Sequence, residues 1–239
     1  MTTAVMLHRA DGAPLTTAFR KTPFGEADPF APHREIAWEG PEAMAAGRVS
    51  FAGELEVSSF PHTETIVVVE GELTLTETGA EPLVVGPGWG VVVGRGTDVQ
   101  IRAQAGTRFV FCAAAGDASP MPGLTSLRPD ANFKPSATLP AEVLLGPAPE
   151  CRSDNVFTDE QTQCLAGTWD STGYHRIIRP QGKNEFMYLV AGSVKFALPE
   201  GGALTVNAGE SLFVPKGAPI GWESTERVAK FYVVQDVQD

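Results

Sequence analysis

Glu64–Leu75 reads ETIVVVEGELTL, and 121 residues further on Glu185–Phe196 reads EFMYLVAGSVKF. Glutamate aligns with glutamate and Gly71 with Gly192. The same spacing carries through Leu83–Gly96 (LVVGPGWGVVVGRG) and Leu204–Gly217 (LTVNAGESLFVPKG), where Leu83/Leu204, Val85/Val206, Gly88/Gly209, Val93/Val214 and Gly96/Gly217 coincide. Upstream, Ala46-Gly47 matches Ala166-Gly167 at a spacing of 120, and downstream Phe109 matches Phe231 at 122. A fixed period of this length is the mark of an internal duplication. One unit is written twice, with single-residue slips in the joins.

Each copy is a string of short β-branched runs. ELEVSSF, TIVVVEG, ELTLTE, EPLVVG, WGVVVG, TDVQIRA and TRFVFCAA are answered by HRIIRP, EFMYLVAG, SVKFALP, GALTVNAG, ESLFVPKG and RVAKFYVVQ, with Gly, Pro or acidic residues between them. Several runs are almost continuously apolar, which suits strands buried on both faces. About eight such strands per copy predict an all-β chain of two jelly-roll barrels in tandem. The expected divisions are an N-terminal barrel with a leading arm over residues 1–115, an inter-domain linker over 116–155, and a C-terminal barrel over 156–239. The linker is rich in Pro, Ala, Ser and Gly, and AEVLL within it is expected to be one apolar strand or turn.

Composition narrows function. The 239-residue chain is 43% hydrophobic, enough for a sizeable core, and carries a formal net charge of −11. That balance argues against a nucleic-acid or anionic-membrane surface, which needs clustered Lys and Arg. The opening MTTAVMLHRADGAP lacks a charged region followed by an apolar core, so no signal peptide is predicted. No run approaches the ~18 apolar residues of a membrane span. Three cysteines without CxxC spacing predict a reducing, cytoplasmic setting rather than a disulfide framework. Cys112 is expected to pack as a small core residue.

The motifs resemble the cupin superfamily. Its first signature has the form G-x5-H-x-H-x3,4-E-x6-G and its second G-x5-P-x-G-x2-H-x3-N. Glu64…Gly71 and Glu185…Gly192 reproduce E-x6-G; Gly209–Gly217 (GESLFVPKG) reproduces G-x5-P-x-G, and Gly88–Gly96 does so with Gly94 in place of the proline. The second half, through AGTWDST, PKGAPIGW and VAKFYVV, is similar to the branch containing (S)-ureidoglycine aminohydrolase and the ethanolamine-utilisation cupin. The resemblance implies two double-stranded β-helix barrels and a family with members that are metal-dependent enzymes and members that bind without metal.

A cupin metal requires three or four converging ligands. With Glu64 as the carboxylate, the histidine positions hold Phe60 and Ser58, or Ser59 and Val57, and the second-motif histidine position holds Val99. In the second copy they hold Gln181 and Arg179, or Pro180 and Ile178, with Ile220 last. No metal or other cofactor is therefore expected. His62 lies two residues before Glu64, on the same face of a strand. The pair is expected either to bond to itself at the start of the strand or to serve as a catalytic base and its orienter. In the second copy Arg179, Gln181, Glu185, Met187 and Leu189 share one parity and would line a small-molecule site, with Arg179 as anion clamp. An internal Arg179–Glu185 pair is the alternative. Trp222 and Trp169 are expected at the mouth or packed in the core.

Two functions are thus expected: a bicupin that binds a small polar metabolite, or an enzyme on a small nitrogenous (ureide-like) or sugar-derived substrate. The second would use a non-standard metal site or His62/Glu64 chemistry. A small-molecule ligand and a homodimer are the partners that the resemblance implies.

Overall fold

The computed structural model describes residues 3–40, 43–116 and 118–236. Apart from one short 3-10 turn at Ala141–Val143, every regular element among the described residues is a β-strand. The chain forms two compact units, one of residues 16–128 with 159–164, the other of residues 1–15, 129–158 and 165–239. Each is a sandwich of a seven-stranded and a four-stranded sheet. These are two cupin jelly-roll barrels in tandem.

In the first unit the seven-stranded order is Leu124–Leu127, Gly90–Val93, Thr63–Glu70, Arg108–Ala114, Met44–Ser50, Arg34–Glu39, Arg20–Lys21. In the second it is Val5–His8, Ser211–Val214, Asn184–Ala191, Val228–Gln235, Cys164–Ser171, Cys151–Asp159, Lys134–Pro135. The four-stranded sheets run Gly53–Val57, Val99–Ala103, Leu73–Glu77, Leu83–Val85 and His175–Pro180, Pro219–Glu223, Ser193–Ala197, Ala203–Asn207. Strand for strand, the order is the same.

The E-x6-G signature owes its form to one turn. Gly71 and Gly192 have φ of +74° and +78°, in the left-handed region that side chains disfavour. Each also lies where a Cβ would strike a neighbouring chain: Thr107 for Gly71 and the Arg227 carbonyl for Gly192. The glutamates begin the central strands that these turns end. Glu64 shares parity with Ile66 and Val68, both in the first core cluster, and so points inward. Glu185 shares parity with Met187 and Leu189 of the second core.

Two expected boundaries do not match the packing. The leading arm, expected with the first barrel, belongs to the second: Val5–His8 pairs antiparallel with Ser211–Val214. Met6 and Leu7 are buried there, and Arg9 donates to the Thr205 carbonyl and the Glu210 carboxylate. The 116–155 segment is less a linker than a supplier of strands. Leu124–Leu127 pairs with Gly90–Val93, and Lys134–Pro135 pairs with the strand from Cys151. Within AEVLL, Ala141–Val143 forms the 3-10 turn and Leu144 bridges to Arg176. Among the described residues no helix is long and apolar enough to cross a membrane.

Candidate functional site

In the first barrel the interior is closed by charge. Arg34 begins the strand Arg34–Glu39, at the parity of the core residue Ile36, and is wholly buried. Its Nε and Nη2 donate to Asp28 Oδ2 and Oδ1 at 2.6 and 2.8 Å. Its Nη1 and Nη2 donate to Glu64 Oε1 and Oε2 at 3.2 and 2.9 Å. Asp28 also accepts from the backbone N–H groups of Phe24 and Phe30, so one carboxylate orders the preceding loop and holds the guanidinium fork. The guanidinium lies 4.1 Å from the Phe111 ring centroid.

Burial alone would raise the Glu64 carboxyl. The Arg34 charge and the hydrogen bonds from His62 and Arg34 outweigh it and hold the pKa at about 2. Because Glu64 is a carboxylate, His62 Nε2 must donate the proton in their 2.7 Å contact. His62 sits between the rings of Phe24 and Phe60, at 5.0 and 5.3 Å. The expected self-bonded pair is present, extended by Arg34 and Asp28. A carboxylate held near pKa 2 and saturated by donors is a poor proton acceptor, so in the expected base–orienter pair Glu64 can serve only as the orienter of His62.

The second barrel is built from the same strands but keeps space inside. A cavity of about 280 Å³ is lined by Ser153, Asn155, Trp169, Glu185, Lys230 and Tyr232, among others. Strand register identifies what stands at each place in the first barrel. Opposite Glu64, Ile66 and Val68 lie Ala113, Phe111 and Phe109. Opposite Glu185, Met187 and Leu189 lie Val234, Tyr232 and Lys230. Phe109 is thus replaced by Lys230 and Phe111 by Tyr232. Gly47 backs onto the Ile36 Cα as Gly167 backs onto the Asn155 Cα, so Ser153 takes the place of Arg34. Exchange of the arginine for serine removes a large side chain from the interior, and exchange of the phenylalanines for Lys230 and Tyr232 makes its lining polar.

Lys230, only 7% exposed, donates to Glu185 Oε1 at 2.7 Å, and Gln181 Nε2 donates to Glu185 Oε2 at 2.7 Å. The ammonium lies over the rings of Trp169 and Trp222, at 4.9 and 5.2 Å. The Tyr232 hydroxyl donates to Asn155 Oδ1, and burial, aided by the Glu185 charge, pushes the phenol up to about 12.

The expected site residues are therefore only partly assembled as the sequence suggested. Glu185 faces the cavity and Gln181 supports it. The expected Arg179–Glu185 pair gives way to Lys230–Glu185. Arg179 lies opposite Ile220, past a register shift in the strand His175–Pro180, and is not among the cavity-lining residues. Trp222 is core, 3% exposed, stacked on Tyr174 at 5.3 Å, with Nε1 donating to Ser224 Oγ.

A cupin metal would need free lone pairs on these glutamates. Both glutamates are instead engaged by cations, Glu64 by Arg34 and Glu185 by Lys230, and no imidazole converges on Glu185 among the described residues. Among those residues no group of three or more His, Cys, Asp or Glu is arranged to hold a metal ion. The residues present do not fit the family's metal.

Residues 158–232 match the EutQ-like cupin domain. Over 98% of this chain and 100% of the other, the structure superposes with a TM-score of 0.95 and 39% identity on a protein of unknown function of the DUF861 family from Pseudomonas syringae pv. tomato str. DC3000. Protein Ylba from E. coli, also DUF861, gives a TM-score of 0.55 at 12% identity over 100% of this chain and 94% of that one. Salicylate 1,2-dioxygenase from Pseudaminobacter salicylatoxidans gives 0.52 at 11% identity, covering 80% and 70%. These last two share the fold. No curated protein matches. With the duplicated jelly roll, the paired E-x6-G turns and a full-length relative at 39% identity, the chain belongs to the DUF861 family of the cupin superfamily.

Proposed function

We propose that this chain is a binding cupin that holds a small polar metabolite in its second barrel, without a resident metal. One observation carries the reading: of two barrels with the same strand order, one is filled by Arg34, Phe109 and Phe111. The other replaces them with Ser153, Lys230 and Tyr232 around about 280 Å³ of space. Of these exchanges only that of Arg34 for Ser153 is a large truncation, worth ~2–5 kcal/mol of lost packing. The other two set polar groups where the first barrel has apolar rings, and buried polar groups need partners. A ligand in the space restores contacts, and a cavity lined by polar and aromatic groups is the usual form of a small-molecule site.

The Lys230–Glu185 pair gives the cavity a donor and an acceptor at one end, and Tyr232 with Asn155 a second pair. These suit a ligand with both hydrogen-bonding senses, such as an acid amide or ureide. The resemblance of the second half to the ureidoglycine branch puts such compounds first in a screen. The reading is tested by thermal-shift measurement of the full chain against ureides, organic acids and sugars. A hit should weaken at least tenfold in Lys230→Met and Glu185→Gln and be unchanged in the surface variant Arg102→Gln. Absence of any hit, or a hit indifferent to both cavity variants, refutes it.

A further inference from the structure

Two arginines of the second barrel are left over once the Lys230–Glu185 pair is formed. Arg176 and Arg179 lie on His175–Pro180, the edge strand of the four-stranded sheet. Arg176 is opposite Trp222 and Arg179 opposite Ile220, with a register shift between them. Directly opposed residues in an antiparallel pair project to the same face. Trp222 and Ile220 are core residues, 3% and 1% exposed, so both arginines are turned toward the interior. The irregularity absorbs Ile177 and Ile178, which are exposed. A regular strand would have sent residues 176 and 179 to opposite faces. The irregularity is what brings two guanidiniums to one side.

Neither guanidinium is neutralised. Arg176 donates from Nη2 to the Ile220 carbonyl at 3.1 Å, while its Nε is buried with no hydrogen-bond partner. Among the described residues neither arginine is ion-paired with a carboxylate; Glu185, close enough to act on Arg176 electrostatically, is engaged by Lys230 and Gln181. Burial holds Arg176 below the ordinary guanidinium range, with Arg179 adding to the effect. Uncompensated cations in a partly desolvated place are costly, and an orphaned buried donor calls for a partner.

We propose that Arg176 and Arg179 form an anion clamp in the second barrel, and that its partner is the carboxylate of a small organic acid. The inference rests on the reading of that barrel as the binding site and names the substrate class. The guanidinium fork matches a planar carboxylate in two parallel hydrogen bonds, which an ammonium cannot do.

The test titrates the full chain, at low chloride, with acetate, malonate and succinate. Malonamide and succinamide serve as neutral isosteres and inorganic phosphate as the competing anion, read by calorimetry. At least one carboxylate should bind, with the diamides weaker by about tenfold or more. Arg176→Gln and Arg179→Gln should each weaken it by about 10- to 100-fold, as expected for a charge-assisted hydrogen bond. Arg176→Lys should fall between, and circular dichroism of each variant checks that the barrel is intact. Diamides binding as tightly as the acids, phosphate binding tighter than every carboxylate, or Arg→Gln variants that bind like the parent would each overturn the clamp. If neutral compounds bind and respond to Lys230→Met alone, the clamp falls while the cavity reading stands. If nothing binds in either screen, both fall.

Discussion

Replacing Arg34 by methionine tests whether charge, rather than apolar packing, closes the first barrel. The substitution keeps a long apolar side chain but removes four hydrogen bonds, two to Asp28 and two to Glu64. Both carboxylate side chains are fully buried. Removing one partner of a buried ion pair costs ~3–5 kcal/mol; here one cation serves two anions, so the upper end, ~5 kcal/mol, is expected at pH 7. For a unit of this size that corresponds to a fall in Tm of roughly 10–20 °C. The pH dependence gives a second signature. Glu64 lies at about 2 in the folded protein against an ordinary 4.5, so the unfolded chain takes up the proton first. Its contribution, on the order of 3 kcal/mol, is complete above about pH 4.5 and is lost as pH falls toward 2. Without Arg34, burial dominates and Glu64 rises, so acid neutralises an otherwise stranded charge. The gap between parent and variant should therefore narrow between pH 7 and pH 4 in urea melts followed by circular dichroism. A loss below ~1 kcal/mol at pH 7, or a gap that ignores pH, would refute the reasoning. The triple variant Asp28→Asn/Arg34→Met/Glu64→Gln should recover much of the loss.

Other expectations are simpler to check. Gly192→Ala places a Cβ against the Arg227 carbonyl at φ +78°, and should lower the stability of the second unit by ~2–4 kcal/mol in the same melts. Leu7→Asp puts a charge where Leu7 is 1% exposed; by undocking the arm from Ser211–Val214 it should destabilise by more than ~3 kcal/mol and promote aggregation visible by light scattering. The three free thiols are buried; desolvation pushes Cys164 up to about 11 and Cys112 well above the ordinary thiol value. Ellman's reagent at pH 8 should leave Cys112 and Cys164 unlabelled in the native protein and react with all three on unfolding.

Much of the fold could be read because duplication doubles every signal. Glu64/Glu185 and Gly71/Gly192 are fixed by one turn geometry, and their inward direction follows from strand parity alone. The interior partners were less legible, each for its own reason. Asp28 and Arg34 lie upstream of the recognisable repeat, about thirty residues before Glu64, and meet it only across strands; no local pattern in APHREIAWE announces a buried arginine. Lys230 was hidden by a slip of one. Matching Phe109 to Phe231 follows residue identity, whereas the strand register keeps the 121 spacing and matches Phe109 to Lys230. A one-residue slip exchanges the faces of a strand, so nothing in the residue-identity match points to Lys230 as an interior cation. Arg179 shares the side of Ile220 through the register shift after Arg176, not through the simple parity with Gln181 and Glu185 that the sequence offers. The strand in 116–155 escaped because LTSL has four residues and no clear alternation.

The two arms explain why the boundary at residue 115 does not separate the barrels. Val5–His8 precedes the first copy yet edges the second unit's sheet, on Ser211–Val214. Leu124–Leu127 precedes the second copy yet edges the first unit's sheet, on Gly90–Val93. Since Gly90–Val93 and Ser211–Val214 are the same strand of the repeat, each copy covers its open edge with the arm of the other. Reciprocal exchange of an identical element is the pattern of a domain-swapped dimer, here written into one chain. An uncovered edge strand invites aggregation, so neither copy cut out with only its own arm would have its edge protected. Each barrel's sheet edge thus depends on a segment that precedes the other copy in sequence. Under the proposed function, selection for binding acts on Ser153, Lys230 and Tyr232 while Arg34, Phe109 and Phe111 keep the other barrel packed.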